Sequence, residues 1–74
     1  MVGKRFVIRL KVREIAESQN LNMSQLSRKA DIQYNTIRDI WSRPERDISL
    51  STLEKLSIAL NVPISELFEV IEDK

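Results

Sequence analysis

A mainly α, single-domain fold is the expectation for this chain, and three observations carry it. Four short stretches place apolar residues at helical spacing. Asn or Asp stands where the chain must bend between them. One N-terminal stretch alternates with period two instead. The chain has 74 residues, a size for one domain spanning 1–74.

Residues 4–12, KRFVIRLKV, put Phe6, Ile8, Leu10 and Val12 on one side and Arg5, Val7, Arg9 and Lys11 on the other. That is a strand pattern. The period then changes: Val12, Ile15, Ala16 and Gln19 fit one face of a helix over about 11–19, and Asn20 suits the left-handed residue that ends it. Asn22 and Gln25 form a capping-box-like pair opening a second helix, which buries Leu26 and Ala30. Asp31 takes the left-handed turn and Ile32 plugs it. A third helix over about 34–42 buries Ile37, Ile40 and Trp41, and Pro44 ends it. Residues 43–50 read as a polar loop. Ser51-Thr52-Leu53-Glu54 is a capping-box pattern opening a fourth helix over about 52–60, with Leu53, Leu56, Ala59 and Leu60 inward. Asn61 and Pro63 close it. Ser65 is placed to cap a short turn, Glu66–Phe68, and Glu69-Val70-Ile71 fits either a further turn or a short strand.

The composition excludes much chemistry. With no Cys there is no thiolate metal site or cysteine nucleophile, and with no His the commonest metal ligand and general base are missing. One Gly, at position 3, leaves no glycine-rich phosphate loop. The carboxylates Glu66, Glu69, Glu72 and Asp73 lie on a charged tail with no base or nucleophile beside them. Catalytic and metal-ligating residues are therefore expected to be none, with no cofactor and no small-molecule ligand. No apolar run is long enough for a membrane span, and the N-terminus lacks a signal-peptide core. The expected location is cytoplasmic, at the nucleoid. The start Met and full helix set favour the expectation of a whole small protein, with an excised DNA-binding domain of a longer protein as the alternative.

Net charge is only +1, but its distribution is uneven. Residues 1–46 carry ten basic and five acidic groups, and residues 47–74 carry two basic and six acidic. A basic portion suggests a polyanion-facing half. The plainer alternative is two ordinary solvated faces.

The second helix, its turn and the third helix, residues 22–42, form a rigid corner. The outer side of the third helix is Tyr34, Asn35, Arg38 and Asp39, a polar stripe opposite Ile37, Ile40 and Trp41. A helix fits the DNA major groove, where N-terminal side chains reach base edges.

On these residues the sequence resembles the phage repressor/Cro-type, or XRE, family of helix-turn-helix transcriptional regulators. Leu21–Trp41 (LNMSQLSRKADIQYNTIRDIW) and Ser49–Val62 (SLSTLEKLSIALNV) carry the resemblance, within a match over about 10–68. It looks most like a compact subgroup with an N-terminal strand. The resemblance implies a five-helix repressor-like domain with the recognition helix at about 34–42. By position it implies base reading by Tyr34, Asn35 and Asp39, capping by Gln33, and flanking roles for Thr36 and Arg38. Met23 stands where many members place a phosphate-clamping Gln, and Ser24 or Gln25 is the candidate replacement. Asn20, Asp31 and Asn61 replace the glycines common in the family's turns.

The candidate base-reading set is Gln33, Tyr34, Asn35, Arg38 and Asp39, and the phosphate set is Ser24, Gln25, Arg28, Lys29, Thr36, Arg43 and Arg46. Asn35 suits adenine N6/N7, Arg38 guanine or phosphate, Tyr34 a thymine methyl or phosphate, and Asp39 cytosine N4. Each has a plainer alternative: an idle exposed amide for Asn35, a surface ion pair for Arg38, packing on Ile32 for Tyr34, an ion pair orienting Arg38 for Asp39, and capping alone for Gln33. Trp41 reads as core. If four cations per subunit meet phosphates, a dimer has a log–log salt slope of about −7.

One such unit covers little DNA, so the expected partner is double-stranded DNA bound by a homodimer, with half-sites ~34 Å apart. The N-terminal strand is expected to pair with the Phe68–Ile71 segment inside the monomer, and an uncovered edge or exposed Phe6 and Ile71 are candidate dimer elements. The expected function is a sequence-specific regulator, a repressor. The alternative is a protein-interaction or antitoxin-like accessory module on the same fold, which Asp39 and Met23 favour.

Overall fold

The computed structural model describes residues 5–45 and 47–73. Its elements are β1 (Arg5–Leu10), α1 (Val12–Ser18), α2 (Met23–Ala30), α3 (Tyr34–Ser42), α4 (Leu50–Leu60), a 3-10 turn (Ile64–Glu66) and β2 (Phe68–Asp73). The four helices enclose one core in which Val12, Leu26, Ile37, Ile40, Leu56, Leu60 and Leu67 are fully buried. Short helices such as these are marginal alone, so packing of their apolar faces holds them.

The helix ends follow a repeated plan. Asn20, Asp31 and Asn61 are left-handed, with φ of 62°, 57° and 57°. In each case the next residue, Leu21, Ile32 or Val62, donates its N–H back to a carbonyl five residues earlier, on Ala16, Ser27 or Ser57. These are Schellman closures, which satisfy carbonyls that the helix end would orphan. In the latter two, the same serine's hydroxyl also bonds the carbonyl of Ile32 or Val62.

Helix starts are patterned too. An apolar residue before each cap stands five positions ahead of another: Leu10 and Ile15, Leu21 and Leu26, Ile32 and Ile37, Ile48 and Leu53. All eight lie in the core or against it. This is the spacing of the hydrophobic staple, which fixes the angle at which the chain enters a helix. Leu21 and Ile32 therefore finish one helix and start the next.

The structure corrects several expectations. There are four α-helices and a 3-10 turn among the described residues, not five helices. Of the two alternatives for Glu69-Val70-Ile71 the strand forms: β2 runs antiparallel to β1, with Val70 opposite Ile8 and Glu69 opposite Arg9. Val70 and Ile71 are β-branched and favour a pleated strand, and β1 needs a partner for its backbone groups. The pairing of the N-terminal strand with the C-terminal segment inside one chain is as expected. The cap of α4 is Ser49, whose hydroxyl accepts from the Thr52 N–H at 3.2 Å, not Ser51. A cap at Ser49 makes Ile48 and Leu53 a staple, whereas a cap at Ser51 would pair Leu50 with Lys55. The short turn begins after Pro63 without a side-chain cap, so Ser65 lies within it. Trp41 is half-buried against the core, and Phe6 and Ile8 are exposed, leaving Leu10 and Val12 as the buried members of their alternation.

Candidate nucleic-acid interface

The corner of α2 and α3 rests on two closures. At the start of α2, the Asn22 side chain accepts from the Gln25 N–H at 2.8 Å, and the Gln25 side chain accepts from the Asn22 N–H at 2.9 Å. This reciprocal box satisfies two orphan donors. At its end Asp31 turns the chain, and Ile32 N–H reaches Ser27 O at 3.0 Å. Gln33 then occupies the cap position of α3, but its side chain makes no capping bond, so only its backbone serves the helix.

With Ile37 and Ile40 buried, the helical period turns Tyr34, Asn35 and Arg38 outward, and all three are exposed. Gln33 is exposed beside them, while Thr36 and Asp39 are half-buried. Asp39 lies 3.9 Å from Arg43, one turn on. Among the described residues, Asp39 pairs with Arg43 and not with its neighbour Arg38. The pairing partly neutralises both charges. Among the described residues, Arg28, Lys29 and Arg38 take part in no ion pair. Arg28 and Lys29 occupy the last turn of α2, where cations also complement the helix dipole.

Ser24 and Gln25 are exposed on the first turn of α2. Gln25 has its carbonyl oxygen committed to the cap, which leaves its NH2 as the outward donor. Met23 is half-buried and packs against the core, near Trp41 and Leu21 in a shallow cleft. Its place is thus a packing one. Arg46 lies outside the described residues.

Other cations are drawn away from this surface. Arg9 on β1 bonds Glu14 at 2.7 Å and Glu69 at 3.1 Å, and Arg13 bonds Glu17 at 3.2 Å. The hydrogen bond and charge of Glu14 lead in raising the Arg9 pKa further above its ordinary value. Partial burial pushes the Glu14 carboxyl up, but Arg9, a backbone N–H and the charge of Arg13 outweigh it, and the net shift is downward. Among the described residues no cluster of acidic side chains is placed to hold a metal, and no helix is long and apolar enough to cross a membrane.

A family model described as the Cro/C1-type helix-turn-helix DNA-binding domain matches residues 11–73. The chain belongs to this family. The match includes α1 to β2 and the whole of the corner described above. Among solved structures, the restriction-modification controller protein C.AhdI from Aeromonas hydrophila is 26% identical, with a TM-score of 0.71 over 78% of this chain and 86% of that one. The transcriptional regulator VanUg is 12% identical, with a TM-score of 0.75 over 99% of this chain and 96% of that one, a likeness of fold. No curated protein matches the chain.

The family and its principal corner are thus legible in the sequence. The staple spacing and the Asp39–Arg43 pair emerge only with the structure. Both signals were present, as apolar residues at i and i+5 around each cap and as opposite charges at i and i+4.

Proposed function

We propose that this protein is a sequence-specific double-stranded DNA-binding regulator that inserts α3 into the major groove and acts as a two-fold dimer. The observation that supports it most is the exposed stripe Tyr34, Asn35 and Arg38 on the first turns of α3, opposite buried Ile37 and Ile40. Nothing in the core depends on these side chains, so they are available to a ligand. Asn35 pairs with adenine N6/N7, Arg38 with guanine O6/N7, and Tyr34 with a thymine methyl or a phosphate. Asp39 takes cytosine N4 while it steadies Arg43. Gln33 reaches a base or the backbone at the groove edge. Ser24, Gln25, Arg28, Lys29, Thr36, Arg43 and Arg46 contact phosphates and set the register.

Two such units at half-sites ~34 Å apart give the surface that one unit lacks. Repression is the expected outcome, because occupying a site needs no further contact with the transcription machinery. The protein then works at the nucleoid, in the cytoplasm, and its concentration sets occupancy.

Selection from a random duplex pool at two salt concentrations tests the reading. An enriched two-fold motif is expected, with Asn35→Ala relaxing one position by about 1–3 kcal/mol and Arg28→Ala weakening all sequences alike. No enriched motif at low salt would overturn it in favour of a protein-interaction module.

A further inference from the structure

The sheet carries more apolar surface than the fold uses. Cross-strand partners share a face, so Phe6, Ile8 and Leu10 stand with Glu72, Val70 and Phe68. At the foot of this face Leu10 is buried and Phe68 half-buried. Beyond them Phe6 is 66% exposed, Ile8 55% and Val70 58%. Leu50, 80% exposed at the start of α4, and Ile64 flank the same groove, whose volume is about 580 Å³. The opposite face mixes apolar and charged residues, with Val7 across from Ile71, which is 38% exposed, and Arg9 bonded to Glu69 across the strands.

We propose that this apolar face docks a second copy of the chain, the two sheets packing face to face about a two-fold axis. A two-stranded sheet is marginal in water unless a face is packed. This one meets the rest of the chain chiefly at its foot, through the 3-10 turn and the bonds Leu10 N–H to Pro44 O and Lys11 N–H to Leu67 O. It belongs to a molecule measuring 45 × 22 × 22 Å. The helices leave Phe6, Ile8 and Val70 uncovered. The exposed surface of the five apolar side chains is roughly 500 Å² per chain. Joining two faces therefore removes up to about 1,000 Å² of apolar surface from water, the size at which specific interfaces begin. Aromatic and β-branched side chains on a pleated face are the surface that packs against a second such sheet. Glu45 and Asp47 on the rim set the groove apart from any surface for a polyanion.

Such a dimer serves the two-fold DNA reading proposed above and rests on that reading only for its purpose, since self-association is measured without DNA. Sedimentation equilibrium of the full chain, from low to high micromolar, is expected to show a monomer–dimer equilibrium. Ile8→Lys and Leu50→Lys should each weaken it at least about tenfold by placing a charge in the apolar contact. Ile58→Lys, on a side chain 74% exposed outside the groove, should leave it unchanged. Circular dichroism checks folding, and Leu50→Lys decides if Ile8→Lys disrupts the sheet. A monomer throughout, or a dimer indifferent to Leu50→Lys, overturns the interface. A monomer that still selects a DNA motif would sink the interface and the two-fold assembly while leaving base reading by α3 standing. A dimer that selects none would support the interface and sink the DNA reading.

Discussion

Replacing Asp31 isolates the bend that sets α3 against α2. Its backbone sits at φ 57° and ψ 48°, a region where Cβ crowds the following carbonyl. An L-residue there costs roughly 1–2 kcal/mol, and Asp and Asn are among the least disfavoured. Asp31→Ala keeps Cβ and loses the adaptable carboxylate, so about 1 kcal/mol of stability should go. Asp31→Val adds a β-branch where positive φ is a true outlier, and about 2 kcal/mol is expected. Asp31→Gly removes the crowding but loosens the unfolded chain by roughly 0.5–1 kcal/mol, which leaves it near wild type. Global stability for 74 residues is roughly 4–11 kcal/mol, so the valine variant loses a measurable share. Each kcal/mol moves the melting midpoint by about 4–8 °C at this size. Thermal and urea melts followed by circular dichroism should rank the variants Gly and wild type first, then Ala, then Val. If Ala melts with or above Gly, the left-handed strain is not what constrains this position.

Other perturbations test neighbouring parts of the structure. Asn22→Ala removes the acceptor for the Gln25 N–H and should cost about 1 kcal/mol in urea unfolding, with Asn22→Ser restoring most of it. Arg43→Ala removes a cation proposed to meet phosphate, so affinity for all DNA sequences should fall alike and the salt slope flatten by about 1 per chain; an unchanged slope would place Arg43 away from phosphate. Glu14 is held below its ordinary value of 4.5, so its contribution to stability is present above that value and is lost as pH falls through the lower folded value. Urea midpoints of Glu14→Gln should therefore vary less with pH than wild type across about pH 5 to 3. The raised Arg9 stays charged throughout and adds no pH dependence in that window.

The helices and turns were legible because their signals are local. Asn20, Asp31 and Asn61 bend as their side chains allow, and the Asn22–Gln25 box forms as its spacing requires. The C-terminal strand was less so. Its residues fit a turn as readily as a strand until β1 is brought alongside, a contact across some sixty residues of chain that periodicity cannot see. Likewise Phe6 and Ile8 alternate as core residues do, yet the helices stop short of them. At the candidate interface, the outward stripe followed from helical period alone. The partner chosen by Asp39 depended on which neighbour, Arg38 or Arg43, lay across a helical turn.

Leu21 and Ile32 each close one helix and open the next, and this has a consequence for how such a protein changes over generations. Between α2 and α3 stand only Asp31, Ile32 and Gln33, so one inserted residue would break a closure and a staple together. The joint is intolerant of length change. Tyr34, Asn35 and Arg38 share none of those duties and sit on the far side of the helix from Ile37 and Ile40. Their identities are free to drift while the frame stays fixed. On the DNA reading proposed above, the chain separates a heritable chassis from an interchangeable reading head, and new binding preferences would be open to it through point changes at these three exposed positions without refolding anything beneath them.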